Sequence, residues 1–155
     1  MPVDWKKLVI AVVLCELAGI MGSLFTFSSI DSWYAALSKP FFSPPNWVFG
    51  PVWTILYFLM GVSLYLVWTN KNPVARSAYA AFGIQLGLNA LWSAAFFGLQ
   101  SPFLGFIVIA LLWLAILATI KLFWRYSQNA ALLLVPYFLW VSFAAALNFA
   151  VWQLN

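Results

Sequence analysis

Five apolar runs, each long enough to cross a bilayer, dominate the chain: Leu8–Phe27, Trp47–Trp68, Ser77–Phe97, Phe103–Trp124 and Ala130–Trp152. A hydrocarbon core about 30 Å thick is spanned by about 20 helical residues. Lipid offers no partner to backbone N–H and C=O groups, so each run must be helical or belong to a closed barrel. None of the runs alternates with period two, which rules out barrel strands. Composition agrees, because 66% of the 155 residues are hydrophobic and 6% charged. A chain this short cannot hide that much apolar surface from water. The expected fold is therefore an all-α membrane protein, with residues 1–155 forming a single bundle of five transmembrane helices. The gaps 28–46, 70–76, 98–102 and 125–129 carry the Pro, Gly and polar breakers expected between spans, and only the first is long.

Charge sets an orientation and excludes some functions. Lys6, Lys7, Lys71, Arg76, Lys121 and Arg125 all fall at one end of an up-and-down bundle, and Lys39 alone at the other. The positive-inside rule then puts the N-terminus in the cytoplasm and the C-terminus outside. The net charge of +4 is too small and scattered for a nucleic-acid partner. With Cys15 the only cysteine and no histidine, an internal disulfide and the usual zinc and haem ligand sets are unavailable. A cleaved signal peptide over residues 1–28 is disfavoured by the length of the run, by Glu16 within it and by the lack of a cleavage site. Trp5, Trp33, Trp47, Trp68, Trp124 and Trp152 lie at or near span ends, where indoles prefer the interface.

Inside the spans, polar and aromatic residues share helix faces. Gln85, Asn89, Trp92 and Phe96 recur at helical spacing on the third span, and Tyr137, Trp140, Ala144 and Asn148 on the fifth. Trp53, Tyr57 and Gly61 do so on the second. Trp113 is read as packing. Buried amides need partners, so these faces should turn inward. Two outcomes fit. The amides could be interhelical bonds worth about 0.6–2 kcal/mol each, or they could orient a ligand held between flat walls of Trp53, Trp92 and Trp140.

The first loop, with Lys39, Pro40, Pro44 and Pro45 among its aromatics, is expected to fold back either as a lid over such a cavity or as a plug. Pro136 should bend the fifth span just before Tyr137, and Pro51 should weaken the first turns of the second. Glu16, the one mid-membrane charge, is a functional candidate by default, with a structural role as a neutral or bonded acid weighted above it. Gly19 with Gly22, and Gly83 with Gly87 at GxxxG spacing, would permit close helix approach within the chain or in a dimer.

Several segments together resemble the tryptophan-rich sensory protein/translocator protein (TspO/MBR) family. They are Trp33-Tyr34 with Lys39-Pro40, the run Pro44 to Trp53, Leu56-Tyr57, Asn89 to Trp92 with Phe96-Phe97-Gly98, and Val135-Pro136-Tyr137 through Trp140 with Ala144 and Asn148. The resemblance implies five helices, often a homodimer, and a pocket beneath the first loop that binds porphyrins such as protoporphyrin IX and haem, and in animal members benzodiazepine-type drugs and cholesterol. The implied ligand-binding residues are Trp33, Tyr34, Trp53, Asn89, Trp92, Trp140 and Ala144, to which helical spacing adds Tyr57, Tyr137 and Asn148. A bacterial branch implies light-dependent porphyrin degradation through Trp53 and Trp140. No acid–base pair or nucleophile dyad points to conventional catalysis. The partners expected are thus a tetrapyrrole or other hydrophobic small molecule, the bilayer and a second copy of the chain. No cofactor or metal is required, and haem iron would not be strongly ligated. The animal cholesterol motif is degenerate here, reading Leu147 to Gln153 without its central Tyr and basic residue; the looser match at Val62–Tyr65 with Lys71 is a weak pattern.

Overall fold

The computed structural model describes residues 3–71 and 73–155. Among the described residues it is helical with no strand, and its helices are α1 (Trp5–Ser29), α2 (Trp33–Ala36), α3 (Phe49–Trp68), α4 (Arg76–Ser93), α5 (Pro102–Trp124), α6 (Gln128–Leu133) and α7 (Val135–Leu154). Five segments are long and apolar enough to cross a membrane: α1, α3 with its 3-10 lead-in, α4 with its π-helical end, α5, and α6 joined to α7. The chain is an integral, multi-pass membrane protein. Many large apolar side chains point outward, including Leu24, Phe27, Ile55, Ile84 and Leu139, as lipid-facing residues should.

Capping explains the helix starts. Asp4 accepts from the Lys7 N–H at the start of α1, Ser101 from that of Leu104 at α5, and Ser127 from that of Ala130 at α6. Each supplies an acceptor to a backbone donor that has no intrahelical partner. Pro51 falls in the first turn of α3, where a missing N–H costs little. The fifth span breaks at Leu134, between α6 and α7, with Pro136 in the first turn of α7. The interruption of this span thus falls two residues before Pro136.

The helices form a ring in which α1 packs on α3 and α4, α4 on α5, α5 on α6 and α7, and α3 on α6. α1 and α3 approach closely: a Cβ on Gly61 would lie 2.5 Å from the Val12 Cα. Gly83 and Gly87, by contrast, meet nothing within 4 Å and face outward. The ends are tied by polar bonds. The Tyr65 hydroxyl accepts from the Asp4 N–H at 3.1 Å, and that of Tyr126 from the Ala75 N–H at 3.0 Å. At the opposite end Asn155 bonds the Ser38 backbone through two contacts of 3.0 Å.

Candidate functional site

Between the C-terminal half of α1 and the N-terminal half of α3 lies a cavity of about 440 Å³, within the size range of small-molecule sites. One wall is a stripe of α1 at helical spacing: Glu16, Gly19, Ile20, Ser23, Thr26 and Phe27. Gly50, Trp53, Thr54 and Tyr57 of α3 face it, again three and four residues apart. Asn89, Trp92, Phe96 and Phe97 close the back, and Ala144, Leu147 and Asn148 of α7 complete the lining. Because Ile20, Phe27 and Trp47 at the rim are exposed on the flank of the bundle, the cavity opens sideways between α1 and α3.

The aromatic walls are organised around Trp53. Its ring lies 6.3 Å from that of Trp92 at 33°, 5.7 Å from Tyr57 and 6.2 Å from Tyr137. Trp92 in turn stacks on Phe96 at 5.7 Å. Such pairs add about 0.5–1.5 kcal/mol each beyond area burial, so the wall is held together by contacts among its own rings. Phe96 and Phe97 sit in a π-helical turn, Ala94–Gly98, closed by a bond of 2.8 Å from the Leu99 N–H to the Ala94 carbonyl. π-turns are rare and are frequently found at functional sites; this one ends the span of α4.

The amides hold this wall. The Tyr57 hydroxyl donates to Asn89 Oδ1 at 2.6 Å, and Asn89 Nδ2 donates to the Tyr137 hydroxyl at 2.8 Å. Trp92 Nε1 donates to Asn148 Oδ1 at 3.0 Å, and Asn148 Nδ2 to the Pro102 carbonyl at 2.7 Å. Both amides are therefore interhelical bonds and cavity lining at once. Gln85, on the same face as Asn89, lies deeper, with Nε2 3.9 Å from the Met60 sulfur.

Of the ten residues singled out for binding, Tyr34, Trp53, Tyr57, Asn89, Trp92, Ala144 and Asn148 line the cavity. Trp33, Tyr137 and Trp140 do not. Trp33 packs edge-on against Phe96 at 5.5 Å, and Tyr137 is buried behind Asn89. Trp140 packs against Phe49 at 6.1 Å and Phe143 at 5.5 Å. Trp113 is packing as expected, its Nε1 donating to Ser142 at 2.8 Å.

Among the loop residues, Tyr34 is buried against Phe96 and Phe97 and contributes to the lining. Burial pushes its phenol above the ordinary range, so it faces the cavity as a neutral group. Lys39 turns back on the loop, donating to the Ala35 and Leu37 carbonyls at 3.2 and 3.3 Å and lying 4.8 Å above the Tyr34 ring. Pro40 accepts from the Ser43 N–H and Pro45, which follows Pro44, from that of Val48, turning the chain into α3.

Sequence reasoning missed the α1 stripe, although Gly19, Ser23 and Thr26 after Glu16 are a small and polar series in an otherwise apolar run. Glu16 itself has no hydrogen-bond or ion-pair partner among the described residues, so of the two structural roles expected for it, a neutral or a bonded acid, the bonded one is not what the structure contains.

Residues 11–153 match the TspO/MBR family. The chain is 49% identical over 149 residues to the tryptophan-rich protein TspO of Archaeoglobus fulgidus, covering 96% of this chain and 97% of that one. It is 48% identical to the protein of the same name from Chlorobaculum tepidum, covering 96% and 95%. It is 38% identical to the translocator protein of Homo sapiens, covering 90% of this chain and 85% of that one. A match that runs from the first membrane-spanning helix through the last, with identities sustained over nearly whole chains, establishes that the chain belongs to the TspO/MBR family.

Proposed function

We propose that this protein binds a porphyrin, protoporphyrin IX or haem, in the cavity between α1, α3, α4 and α7, and serves as a membrane sensor or transporter for it. Benzodiazepine-type ligands fit the same chemistry. The observation that carries this reading is the wall of Tyr57, Trp53, Trp92 and Phe96, a row of flat rings each within 6.3 Å of the next and lining a cavity of about 440 Å³. A planar macrocycle stacks on such a wall. The sideways opening lets a ligand dissolved in the bilayer reach the site without crossing water. Loop 30–48 acts as a lid, with Tyr34, Asn46 and Trp47 among the residues that touch the ligand.

Binding is favoured over light-driven degradation by a Trp53/Trp140 pair, because Trp53 is on the cavity wall and Trp140 is not. With Lys39 engaged on the loop, the propionates meet neutral donors near the rim instead. The working unit is a homodimer, which the outward Gly83 and Gly87 support.

The test is a titration of detergent-purified protein with protoporphyrin IX, followed by the shift of the Soret band. Trp53→Ala should weaken binding at least tenfold, equivalent to about 1.4 kcal/mol, while Trp140→Ala should leave it within about twofold. Wild-type affinity in Trp53→Ala would overturn the proposal. Illumination of the complex in the same cuvette separates binding from degradation: bleaching no faster than in detergent alone is expected.

A further inference from the structure

Among the described lining residues, Glu16 is the one carboxylic acid and no lysine or arginine joins it. It sits near the midpoint of α1, which spans Trp5–Ser29, and so at the depth where lipid hydrocarbon is expected. The nearest cation in sequence, Lys7, is occupied elsewhere, 3.9 Å from the Asp4 carboxylate and 5.6 Å above the Trp68 ring. Several polar groups of the lining are already used: Ser23 donates to the Ile20 carbonyl at 2.7 Å, Thr54 to that of Gly50 at 3.0 Å, and Asn89 and Asn148 donate as described, while Ser93 stands against Gly22 and Thr26 lies further along α1. Glu16 is thus an uncommitted acceptor in a largely apolar cavity. An ionisable side chain at this depth is costly unless it faces a cavity and meets a partner there.

Its surroundings point to what that partner is. One turn along α1, Gly19 allows the Tyr57 ring to lie against the helix; a Cβ there would come within 2.4 Å of the ring. At this corner of the cavity Tyr57 therefore meets α1 one turn from Glu16, and Trp53 lies 5.7 Å from Tyr57 on the same lining. Carboxylate and aromatic faces together attract a cationic nitrogen. They repel an anionic group.

We propose that Glu16 is the specificity-determining group of this cavity, forming with Tyr57 and Trp53 a subsite for a protonated amine or amidine carried by a flat apolar ligand. This rests on the cavity being a ligand site. A porphyrin bound there would keep its propionates away from this corner and turned toward the rim at Asn46 and Trp47.

The experiment compares two metal-free porphyrins, protoporphyrin IX and an analogue whose two propionates are converted to primary amines, in Soret titrations of wild type, Glu16→Gln and Glu16→Asp. Wild type should favour the amine analogue. Glu16→Gln should weaken the analogue at least tenfold and leave protoporphyrin IX equal or tighter, while Glu16→Asp keeps the preference. An amine-to-carboxylate affinity ratio unchanged by Glu16→Gln, or equal weakening of both porphyrins, overturns the inference and leaves the porphyrin site standing. Failure of both porphyrins to bind wild type overturns the site and the inference together.

Discussion

Asn89 bridges three helices, accepting from Tyr57 on α3 and donating to Tyr137 on α7 while its own helix, α4, carries it to the cavity wall. Replacing it with leucine strands two buried phenols. An unpaired buried polar group costs about 1–3 kcal/mol, reduced in a membrane because chains find substitute partners. Asn89→Leu should therefore lose about 2 kcal/mol, read as a lower melting temperature in detergent; an unchanged melting temperature would show that the bridge adds nothing. Helical spacing placed Asn89, Trp92 and Phe96 on one inward face, and they are there. It was less informative for Trp140. At 100° per residue, Trp140 lies about 60° round the helix from Tyr137 and about 80° from Asn148, far enough to turn its ring onto Phe49 and Phe143. Spacing sorts residues onto a broad face, and the packing of neighbouring helices decides which of them reach a cavity.

At the scale of elements, the five spans were legible because lipid leaves few alternatives to a helix about 20 residues long. Their ends shifted where caps act. The run read from Leu8 begins at Trp5 because Asp4 caps it. Pairwise packing and the π-turn at Ala94–Gly98 were not legible, since both depend on contacts between helices. The crossing of α1 and α3 is the tightest of these contacts. A Cβ on Gly61 would stand 2.5 Å from the Val12 Cα and 2.9 Å from its N, backbone atoms that cannot turn aside. Overpacking typically costs about 1–3 kcal/mol, and a backbone obstacle favours the upper end. Gly61→Ala should lower the melting temperature by several degrees, whereas Gly50→Ala, with nothing within 4 Å, should leave it nearly unchanged. Equal behaviour of the two variants would mean that the helices separate at little cost.

For the whole molecule, the glycines divide into those that serve the bundle and those that do not. Gly19, Gly61, Gly98 and Gly105 each have side chains or backbone pressed within 3 Å of where a Cβ would be, so they are spent on internal packing. Gly83 and Gly87 have open space instead, beside the exposed Ile84 and Leu91 on the outer face of α4. Lipid gains nothing from a groove of two glycines, and each glycine in a helix interior costs about 1 kcal/mol relative to alanine. A second helix seated in that groove would offset the cost through close packing. In a Gly83→Leu/Gly87→Leu variant the new Cβ atoms have open space within 4 Å, so the fold and its porphyrin site should persist while the paired surface is blocked. Mass measurement of the detergent-solubilised protein should accordingly find a dimer for wild type and a monomer for the variant, with protoporphyrin IX titrations alike within about twofold. A variant that remains dimeric, or a wild type that is monomeric, would remove α4 from the interface.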